Sequence, residues 1–181
     1  MLISTRCLFL LEFSSKDIQK ATDSIVSQID GPFLSIHLRN GADWLRACEL
    51  ISSHGLKSLM ASPQCDLPEL TISHCLQTET LIIDTLSRLQ HRFKTIFIST
   101  DFESYRHPIE LLGFNVVQQR DFKTEINADL APLVDLAIHA KSSLFIANCV
   151  SSFSSFAVRQ RAVKDLDTIF WGVFDNVHAE L

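Results

Sequence analysis

No segment of this chain concentrates positive charge. Its 16 Lys and Arg are outnumbered by 21 Asp and Glu, giving a formal net charge of -5 and a pI near 5.7. That balance excludes a polybasic surface for nucleic acid or anionic lipid, so any anion bound here must be held by a few local groups. Absent too are CxxC pairs and Cys/His spacings of the zinc-binding kind. No GxGxxG occurs among only five glycines, which argues against an ordinary dinucleotide-binding fingerprint. Repeats and low-complexity tracts are also missing. The amino-terminal "MLISTRCLFLLEF" has an apolar core, Cys7 to Leu11, that is too short to span a bilayer and makes a poor signal peptide.

What is present suits a folded domain. A hydrophobic content of 46% over 181 residues is ample for a core, and the length fits one domain or one large half of a two-lobed protein. Helical spacing runs from Lys16 to Ile29, and Gly31-Pro32 breaks it before an apolar strand begins at Phe33. Gly55 to Leu70 reads as irregular. Thr80 to His91 reads as a helix, Lys94 to Thr100 as a strand, "FNVVQ" as a strand and Ala131 to Ala140 as a helix. "SLFIAN" is then a strand, and Ser152 to Val163 a helix. Strands separated by helices predict a parallel sheet covered on both faces, a Rossmann-like α/β fold.

Within that frame "FLSIHLRNGADW" is the unusual stretch. Alternation puts His37 and Arg39 on one side of the strand, with Ile36 and Leu38 on the other. A strand-end arginine is often only the last residue to reach solvent, or a structural ion-pair partner. Ligands of such sheets, however, bind beyond the carboxyl ends of the strands. A second feature addresses the same region: "FIANCVSSFSSF" passes from a strand into Ser151 and Ser152, natural N-caps for the next helix. A helix start with free N–H groups and hydroxyls suits phosphate, and an Arg fork beside it suits a diphosphate. In "STDFES", Thr100 and Glu103 have capping-box spacing, and Asp101 reads as a cap.

Cys7, Cys48, Cys65, Cys75 and Cys149 are compatible with free buried thiols in a cytosolic protein or with disulfides in a secretory one. The carboxyl-terminal His178-Ala179-Glu180-Leu181 resembles a receptor-read signal for retention in the endoplasmic reticulum. Residues 1–15 are expected to be a non-native or poorly ordered amino end, and residues 16–181 the folded lobe.

"IHLRNGADWLRAC", "MASPQC", "ISTDFESY", "VDLAIHAKSSLFIANCVSSFSSF" and "FWG" together resemble the carboxyl half of the GDP-fucose protein O-fucosyltransferases that modify EGF-like repeats. The resemblance runs from about Pro32 to the end. It implies the carboxyl-terminal lobe of a two-lobed GT-B glycosyltransferase, an inverting peptide O-fucosyltransferase transferring fucose from GDP-fucose to Ser or Thr. The amino-terminal lobe of such enzymes has no counterpart here, so an inactive GDP-binding fragment or a chaperone-like module for EGF-repeat proteins is the alternative.

Residue by residue, Arg39 matches the family's catalytic arginine, and His37 and Leu38 its neighbouring donor contacts. Asp135 matches a nucleotide-contacting aspartate, and Ser152 and Phe153, with Ser151 beside them, match further donor contacts. Cys48 pairs with Cys75 and Cys65 with Cys149 by the same resemblance, leaving Cys7 odd. No metal cofactor is expected, and no DxD metal motif is read in the sequence. Asp43 and Asp101 lie nearest as general bases but read as turn or cap residues, so that role is unassigned. Implied partners are GDP-fucose and EGF-like repeats of secreted or membrane proteins such as Notch, acted on by a monomer in the endoplasmic reticulum lumen, with no nucleic acid and no membrane span.

Overall fold

The computed structural model describes residues 15–54, 65, 67 and 70–173. The expectations for the amino end, Cys7, most of 55–70 and the carboxyl-terminal tetrapeptide therefore lie outside the described residues. Five parallel strands, β1 (Phe33–Leu38), β2 (Thr95–Thr100), β3 (Asn115–Val117), β4 (Leu144–Ala147) and β5 (Thr168–Phe170), form one sheet in the order β3-β2-β1-β4-β5. β1 and β4 are buried along their whole length, as their unbroken apolar runs require when helices cover both faces. The expected Rossmann-like α/β fold is thus observed.

Alternation decides which helix covers which face. Phe33 and Phe97 pack under α1 (Lys16–Val26) and α6 (Ala131–His139), against Ile18, Ile25, Val134 and Ile138. Leu34, Ile36, Leu38, Ile96 and Ile98 point the other way, onto Ile82 and Leu86 of α4 (Glu79–Ser87) and Ile109 of α5 (Arg106–Leu111). Each fully buried Leu or Ile in that layer is worth roughly 1.5–3 kcal/mol relative to an exposed one. α7 (Ser152–Val163) covers Phe145 with Ala157 and Val158.

A smaller apolar cluster sits beyond the carboxyl ends of the strands. There α2 (Ala42–His54) and α3 (Ile72–Cys75) bring Trp44 and Val150 together around two disulfides. These join Cys48 to Cys75 and Cys65 to Cys149, with Cα separations of 5.7 and 5.8 Å. The second ties Cys149, two residues after β4, to the segment before α3.

Three local expectations are corrected. α1 ends at Val26, and the chain turns through Gly31 at a φ of 73° instead of remaining helical to Ile29. Thr100 and Glu103 form no capping box: α5 begins only at Arg106, after Tyr105 in the left-handed region. Asn40 outcompetes the local pairing, donating from Nδ2 to the Glu103 carbonyl at 2.8 Å and accepting from the Glu103 N–H at 3.2 Å. The sequence does hold one literal Asp-x-Asp, Asp165 to Asp167. It lies in the turn that enters β5, at the opposite end of the sheet from the strand carboxyl ends.

Candidate functional site

β1 and β4 are neighbours whose onward connections run to opposite sides of the sheet, toward β2 and β5 respectively. Such a switch point opens a crevice at the carboxyl ends of the strands. A cavity of about 560 Å³ occupies it, with His37 and Arg39 from the β1 end, Ser99, Thr100 and Asp101 from the β2 end, Asp135 from α6, and Ser151, Ser152 and Phe153 from α7. Residues far apart in sequence are brought to one place by parallel register, His37 lying opposite Ser99. Leu38 is the exception among the expected contacts. Its side chain is fully buried in the core of the opposite face, so only its main chain is near the cavity.

Arg39 is held by groups that no local pattern announces. Its Nη2 donates to Asp43 Oδ2 at 2.7 Å, its Nη1 pairs with Asp101, and its guanidinium carbon lies 5.0 Å from the Trp44 ring centroid. Trp44 is itself fixed, donating from Nε1 to the Cys75 carbonyl at 3.0 Å. Asp101 accepts from the N–H groups of Asn40 at 2.9 Å and Gly41 at 3.2 Å. The cap expected of Asp101 is therefore made across the sheet, to the turn after β1, and not to its own segment. The hydrogen bond from Arg39 holds the Asp43 carboxyl below the usual carboxylate range, which makes it a weaker base.

His37 is buried and uncharged. Burial first, and the nearby Arg39 second, lower its pKa from 6.5 to about 3. Its Nδ1 lies 2.8 Å from Ser154 Oγ, which also accepts from the Asn148 N–H at 2.9 Å. Nδ1 is the one acceptor within hydrogen-bond reach shown for the Ser154 hydroxyl among the described residues, so the serine donates its proton there. His37 then carries its hydrogen on Nε2, the nitrogen left for the cavity.

The start of α7 is open in the sense the sequence suggested, but its turn is built differently. Ser151 takes the N-cap conformation without a side-chain cap. Asn148, fully buried, accepts from the N–H groups of Val150 and Ser151 at 3.0 and 3.2 Å and donates to the Cys75 carbonyl at 2.7 Å. Asn148 and the Cys65–Cys149 bridge thus fasten the turn on both sides, leaving Ser152 and Phe153 at the cavity wall with the positive end of the helix dipole.

Asp135 completes the opposite wall. Burial raises its pKa from 3.8 to about 7, while Gln119 Nε2 donates to Oδ1 at 3.1 Å. A carboxyl raised that far can donate as well as accept a hydrogen bond near neutral pH. Sequence reading missed Trp44, Ser99, Asn148 and Ser154; only Asn148, directly before Cys149 at a strand end, carried a usable signal. The cavity can hold a compact anion at Arg39 and α7, and a polar ring at Asp135.

The family described as GDP-fucose protein O-fucosyltransferase matches residues 4–164. The chain is 29% identical over 158 residues to GDP-fucose protein O-fucosyltransferase 1 of Caenorhabditis elegans, which covers 83% of this chain and 40% of that protein. Among solved structures, POFUT1 in complex with GDP-fucose superposes with a TM-score of 0.71 at 26% identity, over 88% of this chain and 47% of that one. POFUT1 in complex with GDP gives 0.75 at 27% identity, over 90% and 48%. This chain spans less than half the length of these relatives.

Proposed function

The chain belongs to the GDP-fucose protein O-fucosyltransferase family, and from that premise we propose that its cavity binds the GDP portion of GDP-fucose. On this reading the chain is the nucleotide-sugar lobe of a two-lobed, inverting enzyme that transfers fucose to Ser or Thr of EGF-like repeats, such as those of Notch. The observation that carries it is the convergence of Arg39, an uncharged His37 and the start of α7 on one cavity at the sheet's switch point.

The chemistry follows from where charge develops. Transfer breaks the bond between the sugar's anomeric carbon and a β-phosphate oxygen, so negative charge grows on the departing GDP. Arg39, the His37 Nε2–H and the α7 dipole stabilise that charge more in the transition state than in the ground state. These groups supply the positive potential without a resident metal. Asp43 is exposed and Asp101 is anchored by two backbone N–H groups. A diphosphate can therefore replace Asp43 on the guanidinium while Asp101 keeps it aimed. The two disulfides support a lumenal setting in the secretory pathway.

Calorimetric titration of GDP into the 181-residue chain tests the reading, with measurable saturable binding expected. Well-folded protein that gives no binding would refute it. The share of the relatives' length spanned favours a second outcome, GDP binding without transfer, and a fucose-transfer assay on an EGF-like repeat separates the two.

A further inference from the structure

We infer that Ser99 donates a hydrogen bond to the bound nucleoside diphosphate, and that His139 is the positioning residue that aims its hydroxyl. The inference rests on the reading of the cavity as the GDP site.

Ser99, the penultimate residue of β2, lines the cavity, 4% exposed and directly opposite His37 in the sheet. Behind it, His139 at the end of α6 is completely buried, stacked on Phe145 at 4.4 Å between centroids and edge-on to Phe97 at 5.7 Å. Its Nε2 lies 2.6 Å from Ser99 Oγ, and its Nδ1 has no partner among the described residues. The position of the ring proton decides which way the serine points.

Two tautomers are open to a neutral imidazole. If Nδ1 carried the hydrogen, a buried N–H would have no acceptor among the described residues, which folded proteins rarely tolerate. If Nε2 carries it, the ring donates to Ser99 Oγ and only a lone pair is left unpaired, the cheaper defect. Burial above all keeps the ring from protonating, so it is a neutral imidazole with a single hydrogen to place. Arg161 also holds the backbone beneath the ring, donating from Nη1 to the His139 carbonyl at 2.7 Å.

Ser99 Oγ thus receives a hydrogen bond from behind, and its own hydrogen meets no acceptor among the described residues. It faces the cavity. Adjacent strands lie about 4.8 Å apart, so an acceptor atom of a nucleotide engaging the His37 Nε2–H is within reach of the Ser99 hydroxyl. The pair supplies two aimed donors from neighbouring strands, each oriented by a buried partner: Ser154 behind His37, His139 behind Ser99.

Calorimetry with GDP on the 181-residue chain and four variants tests this. Ser99→Ala and His139→Leu are each expected to weaken GDP binding roughly five- to tenfold, the loss of one hydrogen bond. The double variant should bind no worse than Ser99→Ala, because both changes remove the same interaction. His139→Gln, whose amide N–H can reach Ser99 Oγ, should restore most of the affinity, which a purely packing role for the ring does not predict. Should His139→Leu fail to fold, Ser99→Ala and His139→Gln still decide. Unchanged affinity in folded Ser99→Ala, beside normal wild-type binding, overturns the inference alone. Absence of GDP binding by the wild type overturns the cavity reading and this inference with it.

Discussion

A methyl group at Gly41 would stand 2.5 Å from Asp101 Oδ2, 2.9 Å from Asp43 Oδ1 and 3.1 Å from Arg39 Nη1. The missing side chain is what lets two carboxylates close on one guanidinium. Gly41→Ala should therefore disturb the grip on GDP without touching the ligand, weakening binding on the order of tenfold by pushing Asp101 off Arg39. Arg39→Ala should cost roughly tenfold to a hundredfold, the scale of a charged hydrogen bond. Arg39→Lys should recover only part, since an ammonium lacks the planar fork. Titration of GDP into the three variants, beside their thermal melts, measures this; wild-type affinity in folded Arg39→Ala would return the arginine to a structural ion-pair role. Alternation in "SIHLR" placed Arg39 and His37 on one side of the strand correctly. Nothing in the sequence linked Arg39 to Asp101, because that pair is made by the parallel register of β1 and β2, which the order of strands in the chain does not reveal.

α7 shows what an element's sequence can and cannot disclose. Its bounds, Ser152–Val163, are those that the serine-rich start and apolar spacing predict. Arg161, near its end, is fully buried. Its Nη1 donates to the carbonyls of His139 and Ser142, both at 2.7 Å, and its Nε donates to the Asp167 carbonyl at 3.1 Å. One guanidinium thus closes the end of α6, the entry to β4 and the entry to β5 around α7. A long cation that finds carbonyl partners only after the chain has folded cannot be recognised from periodicity. Burial lowers its pKa to about 10, so it stays charged near neutral pH. Arg161→Met should leave several buried carbonyls unpaired and destabilise the fold by roughly 3–5 kcal/mol. Arg161→Lys should rescue little, because three donors on one nitrogen cannot serve carbonyls spread over a fork. Urea denaturation measures both, and a loss below about 1 kcal/mol for Arg161→Met would show that water satisfies those carbonyls instead.

At the scale of the molecule, alternating strand and helix signals sufficed for a parallel sheet covered on both faces. They did not reveal the strand order that sets β1 beside β4, nor the short α3 and β5, whose few residues carry no period. The fold also places three titratable groups, buried His37 and His139 and half-buried Asp135, beside one cavity, which makes stability as a function of pH a property of the whole domain. His37 is lowered from 6.5 to about 3 by burial and Arg39, and His139 is lowered well below 6.5. Their contributions are present above pH 6.5 and are lost as pH falls, because the unfolded chain binds protons that the folded one refuses. Asp135 acts in the opposite sense. Raised from 3.8 to about 7, it contributes fully below pH 3.8 and loses that contribution as pH rises through 7. Between about pH 4 and 6.5 the aspartate offsets one of the histidines, flattening the profile of the native protein. Asp135→Asn removes the offset, so its melting temperature should climb more steeply from pH 4 to 6.5 and then level off. The wild type should rise less and decline slightly near pH 7. Melts of the two proteins across this range check the signs directly, and parallel curves would mean that Asp135 titrates alike in the folded and unfolded chains.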